Sequence, residues 1–152
     1  MMFDSTTPDA FGAALMYASN FYIANKDGYG LLDGDIAVVI IARHQATPYA
    51  FNDAIWKKYG ATISRLGNFK DPKTSNSYMQ SVDSLLKRGV HFAVCQMATR
   101  ELAGSMATDN GGDEEAIFKE ISENLVANAH LVAAGIVAVN RAQERGYAFV
   151  NA

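Results

Sequence analysis

Residues 35–43 read Asp-Ile-Ala-Val-Val-Ile-Ile-Ala-Arg, a nearly unbroken β-branched run, and nothing else in the chain limits its fold so tightly. A half-buried strand alternates apolar and polar residues. A continuous run asks for cover on both faces, as in a parallel sheet whose crossovers lay helices on either side. The apolar stretch from Ile36 to Ala42 is far too short to span a bilayer.

The rest of the chain alternates in kind. Met1-Met2-Phe3 predicts the end of a short strand running into Asp4-Ser5. Thr7-Pro8-Asp9 is a helix start, with a capping hydroxyl, a proline in the first turn and an early acid. Phe11, Leu15, Ala18 and Tyr22 continue at helical spacing to about Gly28. Thr47-Pro48 repeats the start signal, predicting a helix to Tyr59-Gly60, and the polar residues 61–76 read as a site-covering loop. Further helices are expected near 77–88, 96–106, 113–125 and 136–145, and strands near 90–95, 130–133 and 147–150. The expectation is one domain over 1–152, a three-layer α/β/α sandwich on a mostly parallel five-stranded sheet. A core strand beginning at residue 1 would leave its outer end free to fray. That predicts a precursor extending upstream, with an export signal. The compartment reads as cytoplasmic for the chain as it stands, and periplasmic if such a signal has been removed.

Composition removes several classes of function. The net charge of −3, with Lys and Arg scattered, leaves no basic footprint for nucleic acid or an anionic membrane. One cysteine forms no internal disulfide and builds no cysteine-rich metal site. None of the three histidines stands at helical metal-ligand spacing from another, so neither metal nor cofactor is expected.

Ligands of open α/β sheets bind beyond the carboxyl ends of the strands. That rule selects Asp4, Arg43, His44, Cys95 and Gln96, with Asp53 within reach on the helix that follows. Cys95 stands where a strand hands over to a helix, whose amides stabilise a thiolate, as does a nearby cation. It reads equally as a small hydrophobe packed in the core. His44 reads as a general base or anion holder, or as a strand-end cap. Asp4 reads as a site carboxylate or a turn residue. Trp56 reads first as packing. His44 and Cys95 are expected to face one cleft.

Several segments, in order and across nearly the whole chain, resemble the DsrE/DsrF-like family. They are Met1–Asp4, Asn20, Val38–His44, Asn52–Tyr59, Leu85–Val90, Ala93–Cys95 with Ala98, Ala134–Val139, and Ala142–Tyr147. The resemblance implies a five-stranded α/β/α sandwich assembling as trimers or hexamers. It also implies a cysteine after the third strand, here Cys95, that carries sulfur as a persulfide between relay proteins. The Arg-His and Trp-Lys-Lys-Tyr features are closer to a less characterised branch, some of whose members are exported. The functional expectation is a sulfur-handling protein that carries or transfers sulfane sulfur on Cys95, assisted by His44 and Arg43. Its partners would be a sulfur donor or acceptor protein or a small thiol. The alternatives are a non-covalent small-molecule binding module and a structural oligomer, each using the same strand-end cleft.

Overall fold

The β-branched run forms a strand at Val39–Ala42 (β2), shorter than its composition allows, with a 3-10 turn at Asp33–Asp35 ahead of it. The structure, a computed structural model, describes residues 1–152. Four more strands complete one sheet: Met2–Ser5 (β1), His91–Cys95 (β3), Ala129–Val132 (β4) and Phe149–Asn151 (β5). All pairs are parallel, in the order β4-β3-β2-β1-β5. The register sets Met2 beside Val39 and Phe149, and Ile41 beside Ala93. The outer end of β1 is tied down: the Met1 ammonium donates to the Ala37 carbonyl at 2.8 Å.

Six α-helices join the strands: Pro8–Tyr29 (α1), Asp53–Leu66 (α2), Met79–Leu86 (α3), Gln96–Asn110 (α4), Glu114–Glu123 (α5) and Gly135–Glu144 (α6). The Thr7 hydroxyl accepts from the Ala10 amide, and the Asp113 carboxylate from the Ala116 amide, so both expected caps form. Strand order runs outward from β1 to β4, then jumps to β5 on the far edge. A right-handed crossover that moves the opposite way along a sheet must pack on its opposite face. The two cores show the consequence. α1 to α5 bury a cluster of 28 residues on one side of the sheet, while α6 alone closes a cluster of four (Met2, Ile41, Ala93, Val139) on the other. No helix is long and apolar enough to cross a membrane.

Two expected boundaries move. The helix predicted to start at Thr47-Pro48 is instead a 3-10 turn, His44–Ala50, that ends where extended Phe51 bridges to Leu125. α2 begins afresh at Asn52, whose side chain accepts from the Ala54 amide at 3.0 Å. α2 also runs on to Leu66, because Ile63 and Leu66 continue the inner face begun by Ile55 and Tyr59. The predicted loop therefore shrinks to a strap over 67–78, and the strap is pinned. The Lys73 amide donates to Ser64 Oγ at 2.8 Å. Buried Asn76 donates to the Tyr49 and Phe51 carbonyls at 2.8 and 3.1 Å. Gly60 permits the close approach, since a Cβ there would fall on the Lys73 carbonyl oxygen.

Candidate functional site

Side chains alternate across a strand, so β2 and β3 distribute their last residues to the two sides of the sheet. Ile41 and Ala93 belong to the α6 side, and Ala42 and Val94 to the large core. Arg43 and Cys95, one residue further on, therefore return to the α6 side, as does Asp4, two residues beyond Met2. His44 falls to the other side. The carboxyl edge thus carries two sites where one cleft was expected.

On the α6 side, Arg43 Nε and Nη2 donate to the two carboxylate oxygens of Asp4 at 2.9 and 2.8 Å. The Asp4 side chain is 3% exposed and that of Arg43 19%. Asp4 is therefore neither a turn residue nor a free site carboxylate; it is the anchor of a cation. The Arg43 stem lies against α6 at Gly135, where a Cβ would come within 2.6 Å of Arg43 Cβ. The hydrogen bonds to Asp4 raise the Arg43 pKa, and the charges of Asp4 and of a Cys95 thiolate raise it further. The register that sets Ala42 beside Val94 makes Arg43 and Cys95 neighbours at the ends of adjacent strands. Nη1 of Arg43 has no protein partner. Cys95 is a free thiol, 7% exposed, at the N-cap position of α4. The Thr99 hydroxyl donates to the Cys95 carbonyl at 2.9 Å and holds that first turn. Gln96 follows, half-buried, with no side-chain hydrogen bond in the protein.

On the other side, His44 takes a left-handed backbone (φ 53°), where the chain reverses abruptly at the top of β2. Non-glycine residues seldom adopt that conformation, histidine more readily than most, and such strain concentrates at functional positions. A cavity of about 300 Å³ opens beside it. Pro8, His44 and Gln45 form one wall, and Pro48 and Tyr49 another. Ile63, Leu66, Gly67 and Phe69 come from α2 and the strap, and Ala98, Glu101, Leu102 and Ser105 from α4. Cys95, Arg43 and Asp4 do not line it. Burial, first of all, together with the charges of Tyr78 and Asp9, pushes the Tyr49 hydroxyl far above its ordinary pKa, so it stays protonated.

Asp53 is not brought to this edge. The 3-10 turn carries the chain down the sheet, so Asn52 donates its amide to the Asn124 carbonyl just ahead of β4, at the amino end of the strands. Asp53 Oδ1 there accepts from the Asn76 amide at 2.7 Å and fastens the strap. His91 and His130 also lie toward that end, exposed, their rings stacked 6.0 Å apart. No group of three or more His, Cys, Asp or Glu is arranged to hold a metal ion.

Glu101 and Phe69 were not singled out from the sequence. Ala98, Leu102 and Ser105 stand at one helical spacing with Glu101 among them, and Phe69 is a lone aromatic in a polar stretch. Both are legible signals that the segment docks on something.

Fold and site together define an α/β/α protein with a thiol and a clamped guanidinium on adjacent strand ends, and a separate cavity, at the carboxyl edge of an all-parallel sheet. Among solved structures the chain is similar to MTH1491, a protein of unknown function from Methanobacterium thermoautotrophicum. The TM-score is 0.58 at 16% identity, over 99% of this chain and 96% of that one. No protein-family model and no curated protein matches the sequence.

Proposed function

We propose that this protein handles sulfur, as its resemblance to the DsrE/DsrF-like family implies, with Cys95 as the carrier. The observation that carries the reading is the position of Cys95, at the start of a 15-residue helix and on the strand next to Arg43, whose guanidinium Asp4 holds in place. The thiolate is the nucleophilic form of a cysteine. The Cys95 thiolate attacks the outer sulfur of a donor persulfide, protein-bound or small. A new S–S bond forms at Cys95, the donor's S–S bond breaks, and the donor leaves as a thiolate. No oxidant is consumed. The added sulfur extends the chain by about 2 Å, which offsets the small exposure of the thiol itself when an acceptor approaches. His44, on the opposite side of the sheet, takes no part.

The test is mass spectrometry of the native protein after incubation with glutathione persulfide. The expected result is a gain of one sulfur atom on Cys95, absent in Cys95→Ser and several-fold slower in Arg43→Lys, because lysine cannot fork onto Asp4 while facing the thiol. Sulfur uptake only after unfolding would replace this reading with non-covalent binding or a structural role.

We further propose that the chain assembles with copies of itself, as a trimer or a pair of trimers, through the thinly covered α6 side. Ile136 is 60% exposed, Val137 45% and Phe149 43%, around the only helix on that face. Large apolar side chains grouped on a surface mark association more often than single ones do. Light scattering should give three or six chain masses, falling to one in Ile136→Asp with Phe149→Asp. A monomer at micromolar concentration for the unaltered chain would refute the assembly.

A further inference from the structure

The cavity beside His44 is independent of the sulfur site, and its chemistry selects a ligand. At about 300 Å³ it stands at the small end of sites that hold organic molecules. Its walls are largely apolar, with Tyr49 and Phe69 supplying aromatic surface. Four polar side chains converge on it: His44, Gln45, Glu101 and Ser105. None of the four makes a side-chain hydrogen bond within the protein, although most surface charges nearby are committed. Arg65 pairs with Asp109, Arg100 with Glu115, and Arg43 with Asp4. Glu101 is the one carboxylate in the lining, and it has no ion-pair partner. Asp9, next to the wall residue Pro8, adds a second negative charge near the Tyr49 hydroxyl. No lysine or arginine lines the cavity to receive an anion. An unpaired carboxylate in the lining of a pocket with aromatic walls is complementary to a cation on an apolar body, and aromatic faces add to that attraction.

We propose that this cavity is a second, non-covalent binding site for a small organic cation, a protonated primary amine on a single aromatic or branched apolar body. The ammonium group meets Glu101 and the body rests between Tyr49 and Phe69. His44 is held by its left-handed backbone at the mouth, where its imidazole and the Gln45 amide are free to hydrogen-bond the ligand. Strain at that residue is then retained because it points a recognition group into the site. The sulfur reading is not needed for this inference, since no residue of the Cys95 side lines the cavity.

The experiment is an amide NMR titration of the full chain with phenethylamine, phenethyl alcohol and phenylacetate, which share one body and differ in head-group charge. Phenethylamine should give saturable shifts at His44, Leu66 and Glu101 while Cys95 stays unmoved. Phenylacetate should bind at least about tenfold more weakly, with the alcohol between them. Glu101→Gln, a change at an exposed position, should weaken the amine about tenfold and leave the alcohol unchanged, as expected for loss of one charge-assisted hydrogen bond. Leu102→Trp should fill the cavity and abolish all three. The proposal is overturned if the acid binds as tightly as the amine, or if Glu101→Gln leaves amine binding unchanged. Shifts that do not saturate, or that centre on Cys95, overturn it as well.

Discussion

Trp56→Ala is expected to cost about 3–5 kcal/mol of folding stability, the usual range for removing a large aromatic from a core. Trp56, the single tryptophan of the chain, is 1% exposed and packs 5.2 Å from the Tyr49 ring. Its indole nitrogen donates to the Pro48 carbonyl at 2.9 Å inside the 3-10 turn, where the ladder of an α-helix is unavailable. Two effects therefore add: a void beside Tyr49 and the loss of one of the two donors to the Pro48 carbonyl, which keeps the Phe51 amide at 3.0 Å. Trp56→Phe isolates the second, at about 0.5–1.5 kcal/mol, the net worth of one hydrogen bond. The measurement is urea unfolding followed by circular dichroism, because the fluorescent probe is lost with the residue. Pro48 and Tyr49 wall the cavity, so amine binding should weaken in parallel. A loss below about 1 kcal/mol for Trp56→Ala would mean that the side chain is not core, contrary to its burial.

Arg43→Ala is expected to destabilise by about 3 kcal/mol, the lower end of the range for breaking a buried pair, because Arg43 retains some solvent contact. The damage comes from what is left behind: an Asp4 carboxylate with 3% exposure and no cation. Asp4→Asn together with Arg43→Met replaces both partners and should recover more than half of the loss. The double-mutant cycle should thus show strong coupling between the two positions, read from urea midpoints at pH 7. Additive effects would contradict the forked geometry. The same variants separate structure from chemistry. The double variant should fold well yet take up sulfur on Cys95 slowly, since the guanidinium beside the thiol is gone.

Much of this molecule is legible in its residue order. The run from Ile36 to Ile41 demands double cover, Thr7-Pro8 and Asp113 announce helix starts, and the alternation of elements leads to a mostly parallel α/β sheet, which the structure makes wholly parallel. Those signals are local, and local physics decides them: β-branched sterics, cap hydrogen bonds and period. The strand-end rule also brought Asp4, Arg43, His44, Cys95 and Gln96 to one edge, as the structure has it. It did not divide them between faces. That division depends on side-chain parity at the last residue of each strand, and a sequence reading locates strand ends only to within a residue or two.

Asp53 shows the larger limit. Thr47-Pro48 carries a valid helix signal, and a helix starting there would have led Asp53 away from the edge gradually. The chain instead descends the sheet as a 3-10 turn, because Phe51 pairs with Leu125 and Trp56 clasps the Pro48 carbonyl, contacts spanning 74 and 8 residues. The strap is decided in the same way, by Asn76 reaching back to Tyr49 and Phe51 and by the missing side chain of Gly60. Residue order alone determined the class of fold and the edge where chemistry gathers, since both follow from interactions between near neighbours. Only tertiary structure decided that Arg43 is clamped by Asp4 beside Cys95 while His44 opens a separate cavity. Those outcomes depend on which distant groups meet, and a buried charge or carbonyl accepts whichever partner the fold delivers.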